Sequence, residues 1–194
     1  MNNEIIDLPN NMKSTLLYLI NHDPGEFNHQ CGKVCELQLS KSGTTNSQRF
    51  DDYRKSETEI ANKFSEGVLA QISDISVIAT PPSSTKQFKP YVDSLHSRCE
   101  EVVLVEEAFE KTDGFLVGDE KRTLDDVRRN ITTLKLPATD ANVTGTICFV
   151  DDIFSEGNTA AVILERLSQV YPNASSFVVA CPLRVTNTPL PEIS

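Results

Sequence analysis

Apolar residues occur along the chain in short runs, and most of these runs do not alternate with polar residues. Four such runs, rich in Val, Ile, Leu, Phe and Cys, lie at residues 75–80, 102–105, 146–150 and 177–181. Runs of this length and composition predict strands that are buried on both faces. Residues 34–40 differ, because apolar and polar residues alternate there, and they predict a half-buried antiparallel strand.

Apolar residues at helical spacing lie between these strands. Ile60, Phe64 and Val68 follow one another at intervals of four. Ser56 and Glu59 form a capping-box pattern just before them, so an amphipathic helix is predicted to begin there. Three further helices are predicted. One lies at residues 91–98, one follows a cap formed by Thr123 and Asp126 and runs through Val127 and Ile131, and one lies at residues 159–171.

Buried strands separated by helices predict an α/β fold with a parallel sheet that helices cover on both faces. In such folds, ligands bind at the carboxyl ends of the strands. Residues 1–33 are polar and are interrupted by Pro9, Pro24 and Gly25, so they are predicted to form an N-terminal extension. Residues 34–194 are predicted to form the main domain.

Composition and charge narrow the classes of function. The 194 residues include 28 acidic and 18 basic side chains, which gives a formal net charge of −10. This acidic balance argues against a nucleic-acid-binding protein that uses a broad basic face. The apolar runs are too short to span a membrane, and no leader pattern opens the chain, so a cytoplasmic protein is expected.

The cysteines favour reduced thiols over a disulfide framework, because the five of them are irregularly spaced in a chain of ordinary composition. His22, His29, Cys31 and Cys35 cluster near the N-terminus. CxxC pairs are absent, and Cys35 belongs to the alternating strand pattern, so this spacing does not indicate a zinc site. The remaining cysteines are expected in or near the core: Cys99, Cys148 and Cys181.

The most informative segment is ICFVDDIFSEGNTA at residues 147–160. A buried strand ends in Asp151 and Asp152, a short loop containing Gly157 follows, and a helix begins. Backbone N–H groups at such a turn and helix N-terminus suit a phosphate monoester, and two neighbouring carboxylates suit ribose hydroxyls or a divalent metal ion. Taken separately, the acidic pair also occurs in phospho-acceptor domains and metal-dependent phosphatases, and the loop is compatible with a simple helix cap.

The segment VDDIFSEGNT resembles the PRPP motif of type I phosphoribosyltransferases, which use 5-phosphoribosyl 1-diphosphate (PRPP). The resemblance implies that Asp151 and Asp152 contact the ribose hydroxyls and hold Mg²⁺. It also implies that the next residues bind the 5′-phosphate: Ser155, Glu156, Gly157, Asn158 and Thr159. The chain departs from the family at two positions. The family prefers a small residue where this chain has Glu156, and some purine-salvage members have an Asp that acts on the nucleobase where this chain has Ser155.

Two other segments extend the resemblance over about residues 34–186, within the competence-protein-F-like branch of the family. ISVIATPPSSTK resembles the first strand and the pyrophosphate loop, which implies ligands at Pro82, Ser83, Ser84, Thr85 and Lys86. KRTLDDVRRNITTL resembles the mobile basic segment that closes over the leaving pyrophosphate, which implies catalytic roles for Lys86, Lys121, Arg122 and Arg128. By composition alone, the first segment is also compatible with a solvated turn, and the second segment is also compatible with a solvated helix face.

The resemblance implies a parallel-sheet, type I phosphoribosyltransferase-like fold in which residues 1–33 contribute a small hood or antiparallel element. It implies transfer of a 5-phosphoribosyl group to or from a nucleobase-like acceptor, with Mg²⁺ as cofactor. The expected partner is a small diphosphate ligand, with no nucleic acid and no membrane, and related folds commonly form homodimers.

Two alternatives stay open from the sequence. A non-catalytic PRPP or nucleotide sensor on the same fold is favoured by Glu156 and by the lack of a base-binding signature. A metal-dependent phosphatase or phospho-acceptor protein that uses Asp151 is less favoured, because the other acidic and lysine positions expected of such proteins are missing.

Overall fold

The computed structural model describes residues 1–22, 47–83, 88–112, 123–136 and 142–185. The strands are β1 (Asn2–Asp7), β2 (Lys13–His22), β3 (Ile75–Ala79), β4 (Val103–Val105), β5 (Phe109–Lys111), β6 (Ile131–Thr133), β7 (Thr146–Val150), β8 (Ile153–Phe154) and β9 (Ser176–Val185). The helices are α1 (Ser47–Leu69), α2 (Lys89–His96), α3 (Leu124–Asn130) and α4 (Asn158–Val170).

Seven of the strands form one central sheet. Its order is β1-β2-β9-β7-β3-β4, and the short β8 also pairs with β9. Every pairing in this sheet is parallel except that of β1 with β2. β5 and β6 form a separate antiparallel pair. The protein is therefore mixed α/β with a mostly parallel central sheet, as the buried apolar runs predict.

The central strands bury apolar side chains on both faces of the sheet. In β7, Ile147 and Phe149 pack in the same cluster as α4, whereas Cys148 and Val150 pack with α1 and α2. β3 and β9 divide their side chains between the two clusters in the same way. Because helices cover both faces, these strands have no polar face, which explains their continuous apolar sequence.

The predicted helices are present with shifted ends, and the start of α1 is a correction. This helix begins at Ser47, so the predicted capping residue Ser56 lies inside it. The serine–glutamate spacing of a capping box also occurs within helices, and the polar residues before Ile60 give no apolar periodicity that would reveal the earlier start.

The cap predicted at the start of α3 is confirmed. The backbone N–H of Asp126 donates to Thr123 Oγ1 (3.2 Å), and the backbone N–H of Thr123 donates to Asp126 Oδ2 (3.1 Å). The helix ends at Asn130, and Ile131, which was predicted to continue it, begins β6 instead.

The N-terminal residues, which the sequence assigns to an extension, contribute two strands to the central sheet. From Thr15 onward, β2 pairs in parallel with β9 over residues 178–185. The sequence reveals only an apolar piece of β2, and β1 is the edge strand, with Ile5 80% exposed. The strand predicted at residues 34–40 lies outside the described residues, as do His29, Cys31 and Cys35.

The remaining cysteines occupy the environment that the sequence predicts for them. Cys148 and Cys181 are buried, Cys99 is partly buried, and all three are free thiols. Within the described ranges, no helix combines the length and the apolar character needed to cross a membrane.

Candidate functional site

The carboxyl ends of β3 and β7 lie side by side and define a crevice in the sheet. Ala79, the last residue of β3, pairs with Phe149, the penultimate residue of β7. From β3 the chain proceeds through α2 to β4 on one side, and from β7 it proceeds through α4 to β9 on the other. Since α2 and α4 cover opposite faces, this is a topological switch point, the place where α/β sheets bind ligands.

Asp151 and Asp152 follow β7 directly at this crevice. The backbone N–H of Asp151 still donates to the carbonyl of Ala180 in β9 (3.1 Å), so the sheet fixes the position of the acidic pair. The backbone N–H of Asp152 donates to Asp151 Oδ1 (2.8 Å). Both residues are partly buried.

The carboxyl group of Asp151 is in an environment that disfavours its charge. Burial raises its pKa well above the usual range, and the neighbouring Asp152 raises it further, through charge and through a hydrogen bond between the side chains. The backbone N–H of Asp152 and the charge of Lys111 act in the opposite direction. A carboxyl group with a strongly perturbed pKa in a crevice is typical of a functional site, because a bound cation or hydroxyl donor relieves the repulsion.

The loop after the acidic pair leads into the N-terminus of α4. Gly157 precedes the helix with φ +75°, a left-handed conformation that glycine adopts without strain. Gly157, the residue at the N-cap of this 13-residue helix, has no side chain to cap the first turn. Its first backbone N–H groups and the positive end of its dipole are therefore suited to an anion.

The two positions at which the chain departs from the family are both exposed. Ser155 and Glu156 point to solvent at the tip of the loop, and Glu156 Oε2 accepts a long hydrogen bond from the side-chain amide of Asn158 (3.3 Å). An exposed carboxylate in water repels a nearby phosphate less than a buried one does. Gly157, Asn158 and Thr159 are partly buried behind it.

The segment after β3, predicted to bind pyrophosphate, is described only at its start. Pro82 is buried and Ser83 is partly buried, and both follow Thr80, whose backbone N–H donates to Val105 in β4 (3.3 Å). Ser84, Thr85 and Lys86 lie outside the described residues. The described part places the beginning of this segment at the same crevice as the acidic pair.

The predicted catalytic basic residues are not brought to the crevice within the described part of the chain. Lys121 and Arg122 lie outside it. Arg128, on α3, pairs with Asp125 (2.9 Å) and with Glu165 on α4 (3.0 Å). Glu165 is seven residues beyond Asn158, so Arg128 is held about 10 Å along the helix from its first turn.

Lys111 is the basic residue that the sequence does not single out. It ends β5, and its positive charge acts to lower the pKa of Asp151, against the larger effects of burial and Asp152. It is exposed and is the only basic residue among eight acidic ones in residues 100–120. That isolation within an acidic stretch is the signal that would have drawn attention to it.

Cys181 lies in β9 close to the acidic pair but is not a nucleophile. Burial raises the pKa of its thiol well above the usual range, and the charges of Asp151 and Asp152 add to the effect. A thiol in this environment stays protonated, and the thiolate is the reactive form.

Asp151 and Asp152 together fit a magnesium ion, though only as part of its coordination shell. Within the described ranges, no group of three His, Cys, Asp or Glu residues is arranged to hold a metal ion. Mg²⁺ commonly takes one or two carboxylates from the protein and completes its six ligands with water and substrate oxygens. The donor set is therefore suited to a magnesium ion that arrives with a phosphorylated ligand.

No model of a protein family matches the sequence, and no curated protein matches it at a significant level. The function is therefore inferred from the geometry at the carboxyl ends of the strands.

Proposed function

We propose that the chain binds PRPP with Mg²⁺ at the carboxyl edge of its sheet and transfers the 5-phosphoribosyl group between pyrophosphate and a nucleobase-like acceptor, on a type I phosphoribosyltransferase fold. One observation carries the proposal. An acidic pair at the end of β7 is followed, six residues after Asp152, by the N-terminus of α4, which begins after Gly157 at a topological switch point. A phosphorylated ribose has hydroxyl groups and a phosphate that match this order of carboxylates and N–H donors.

In this proposal each described group has a separate role. Asp151 and Asp152 accept hydrogen bonds from the ribose hydroxyls, and the backbone N–H groups at the first turn of α4 bind the 5′-phosphate. The segment that begins at Pro82 and Ser83 binds the pyrophosphate. No protein nucleophile is needed, because the reaction relies on holding the two reactants in line and on stabilising the charges that develop.

The proposed site requires a cation, because two carboxylates lie beside the position of a polyanionic ligand. Mg²⁺, when bound, neutralises pyrophosphate and supplies a positive charge to the acidic pair. Lys111 contributes a second positive charge on the side of Asp151, which favours the ionised carboxyl that accepts hydroxyl groups.

A second candidate, a non-catalytic sensor of PRPP or a nucleotide, is supported by the position of Arg128. Its guanidinium is engaged by two carboxylates, so it is not available to stabilise a departing pyrophosphate in this conformation. The sensor and the enzyme share the binding site and differ only in turnover.

Calorimetry with PRPP and Mg²⁺ tests the site. The double variant Asp151→Asn, Asp152→Asn is expected to lose at least about 100-fold in affinity, because two charge-assisted hydrogen bonds are removed. Asp74→Asn, at the opposite edge of the sheet, is the control and is expected to bind as the wild type does. Absence of binding to the wild type, or equal binding to the double variant, contradicts the proposal.

Turnover separates the two candidates. Release of pyrophosphate from PRPP upon addition of one member of a panel of nucleobases supports the transferase. Binding of PRPP without release across the whole panel supports the sensor.

A further inference from the structure

The turn between β1 and β2 packs against the first turn of α4, although 151 residues separate the two in sequence. The side-chain amide of Asn10 donates to the carbonyl of Ala161 (3.0 Å), and the backbone N–H of Ala161 in turn donates to the carbonyl of Gly157 (2.8 Å). Asn10 thus contacts the residue that closes the first hydrogen bond of the helix.

The same turn also supports the loop before α4. Leu8 is buried, and its Cδ2 lies 3.2 Å from the position that a Cβ would take on Gly157. The ring of Phe154 lies on that position too, at 2.9 Å. Gly157 is therefore enclosed by an N-terminal residue and by a residue of its own loop.

The turn is itself held in one conformation, which makes it a rigid support. The backbone N–H of Leu8 donates to the carbonyl of Met12 (2.9 Å), and that of Asn11 donates to the carbonyl of Leu8 (2.8 Å). Asn10 Oδ1 accepts from the backbone N–H of Met12 (3.1 Å), as asparagine does in tight turns. Asn11 adopts φ +63°, a left-handed conformation that asparagine tolerates.

We propose that Asn10 and Leu8 are positioning residues, which fix the first turn of α4 so that its backbone N–H groups are aligned for a phosphate group. Asn10 acts through Ala161, and Leu8 acts through Gly157. The ligand part of this inference rests on the proposed function, whereas the alignment of the helix turn does not.

Asn10→Ala tests the inference, with Asn3→Ala as a matched control. Asn3 lies in the same hairpin and its side-chain amide donates to Gln71 Oε1 (2.7 Å), away from α4. Asn10→Ala is expected to weaken binding of ribose 5-phosphate by about five-fold, the usual effect of losing one hydrogen bond, while Asn3→Ala binds as the wild type does. Equal affinities of Asn10→Ala and the wild type would overturn the inference.

Hydrogen exchange gives a readout that does not depend on the ligand. The amide of Ala161 is expected to exchange about five-fold faster in Asn10→Ala than in Asn3→Ala, and the amide of Val179 in the core of β9 is expected to be unchanged. Unchanged exchange at Ala161, or an equal rise at Val179, overturns the inference because it shows no local effect.

The two measurements also separate this inference from the proposed function. If the wild type does not bind ribose 5-phosphate and Ala161 still exchanges faster only in Asn10→Ala, the proposed function fails and the positioning role stands. If Asn10→Ala does not fold, Asn10→Ser replaces it, because a serine hydroxyl can accept from Met12 in the same kind of turn but lacks the amide that donates to Ala161.

Discussion

An aspartate lies near each end of strand β7, and the two differ in their surroundings. Asp74, near the amino end, accepts hydrogen bonds from hydroxyl groups, whereas the surroundings of Asp151, at the carboxyl end, disfavour its charge. At the amino end, Asp74 accepts hydrogen bonds from Thr146 Oγ1 (2.9 Å) and Ser175 Oγ (3.3 Å), and its own carbonyl accepts from the backbone N–H of Thr146 (2.8 Å). At the carboxyl end, Asp151 is desolvated and lies against a second carboxylate.

This difference distinguishes a structural acidic residue from a candidate functional one. Asp74 is exposed and accepts hydrogen bonds from neutral hydroxyl donors, which connect the starts of β3, β7 and β9. The Asp151 carboxyl is stabilised in its charged form by one backbone N–H and by the charge of Lys111, against burial and Asp152. Its environment favours a bound cation or hydroxyl donors, which the structural aspartate does not need.

Glycine substitutions at the two edges are expected to have the largest effects. A Cβ on Gly145 would overlap Ser76 Oγ and the carbonyl oxygen of Asp74, so Gly145→Ala is expected to lower the free energy of unfolding by about 3 kcal/mol. Gly157→Ala is expected to cost about 1–2 kcal/mol, because alanine is strained at φ +75°. Urea unfolding measures both.

The glycine variants also separate stability from binding. Only Gly157→Ala is expected to weaken binding of ribose 5-phosphate, by about ten-fold, since the strain displaces the first turn of α4. If folded Gly145→Ala and Gly157→Ala bind ribose 5-phosphate with equal affinity, the prediction that only the carboxyl end of the sheet takes part in binding is wrong.

Removing the structural aspartate is expected to have the next largest effect. Asp74→Ala leaves the hydroxyl of Thr146, a buried residue, with one acceptor fewer, so the free energy of unfolding is expected to fall by about 1–2 kcal/mol. Asp93→Ala, which removes an exposed ion pair with Lys89, is the control and is expected to change stability by less than about 0.5 kcal/mol. An effect of Asp74→Ala no larger than that of the control would contradict a structural role.

Removing the candidate functional aspartate is expected to change stability in the opposite direction. Because the folded state raises the pKa of Asp151, it binds this proton more tightly than the unfolded chain does, so the contribution of Asp151 to stability is lost as pH rises through the raised pKa. Asp151→Asn, which does not titrate, is expected to be more stable than the wild type at neutral pH by about 1 kcal/mol.

The pH dependence of that difference is its specific test. The gap in melting temperature between Asp151→Asn and the wild type is expected to vanish below about pH 4, where the carboxyl is protonated in both states, and to grow as pH rises. A difference in melting temperature that does not depend on pH, or an asparagine variant that is less stable than the wild type at neutral pH, would contradict the view that the folded state disfavours the charge of Asp151.

Lys111 is expected to give the smallest effect. Lys111→Met removes a charge that lowers the pKa of Asp151, so PRPP and Mg²⁺ are expected to bind about two- to three-fold more weakly at neutral pH. Lys135→Met, at another exposed lysine, is the control for the change in net charge. Equal loss in both variants would assign the effect to net charge alone.

The buried centre of the fold is predictable from the sequence, and its margins are not. β3, β7 and β9 are buried on both faces, so most of their positions are apolar and the continuous apolar runs mark them as strands. β1 is an edge strand with the sequence NNEIID, and four of its six residues are exposed, so no regular apolar pattern marks it. The first residues of α1 are polar in sequence, and the capping pattern at Ser56 predicts a later start than the observed one at Ser47.

The residues of the candidate site also divide into those that the sequence predicts and those that it does not. Asp151, Asp152 and Gly157 lie between the end of the buried strand β7 and the start of helix α4. Sequence order alone therefore brings them to the carboxyl end of the sheet. Lys111 and Asn10 reach the same edge only through tertiary packing, across 40 and 151 residues from Asp151 and Ala161 respectively. Arg128 is the opposite case. It lies in the segment that was expected to close over the pyrophosphate, but its guanidinium pairs with Glu165 on α4.

A crystal structure with ribose 5-phosphate and Mg²⁺ tests the central claim, that the carboxyl edge binds a phosphorylated ribose. The account predicts phosphate oxygens within about 2.7–3.2 Å of backbone nitrogens in the first turn of α4, with the ribose hydroxyls against Asp151 and Asp152. No density for the sugar at saturating concentration, or density on any other part of the molecule, would contradict it.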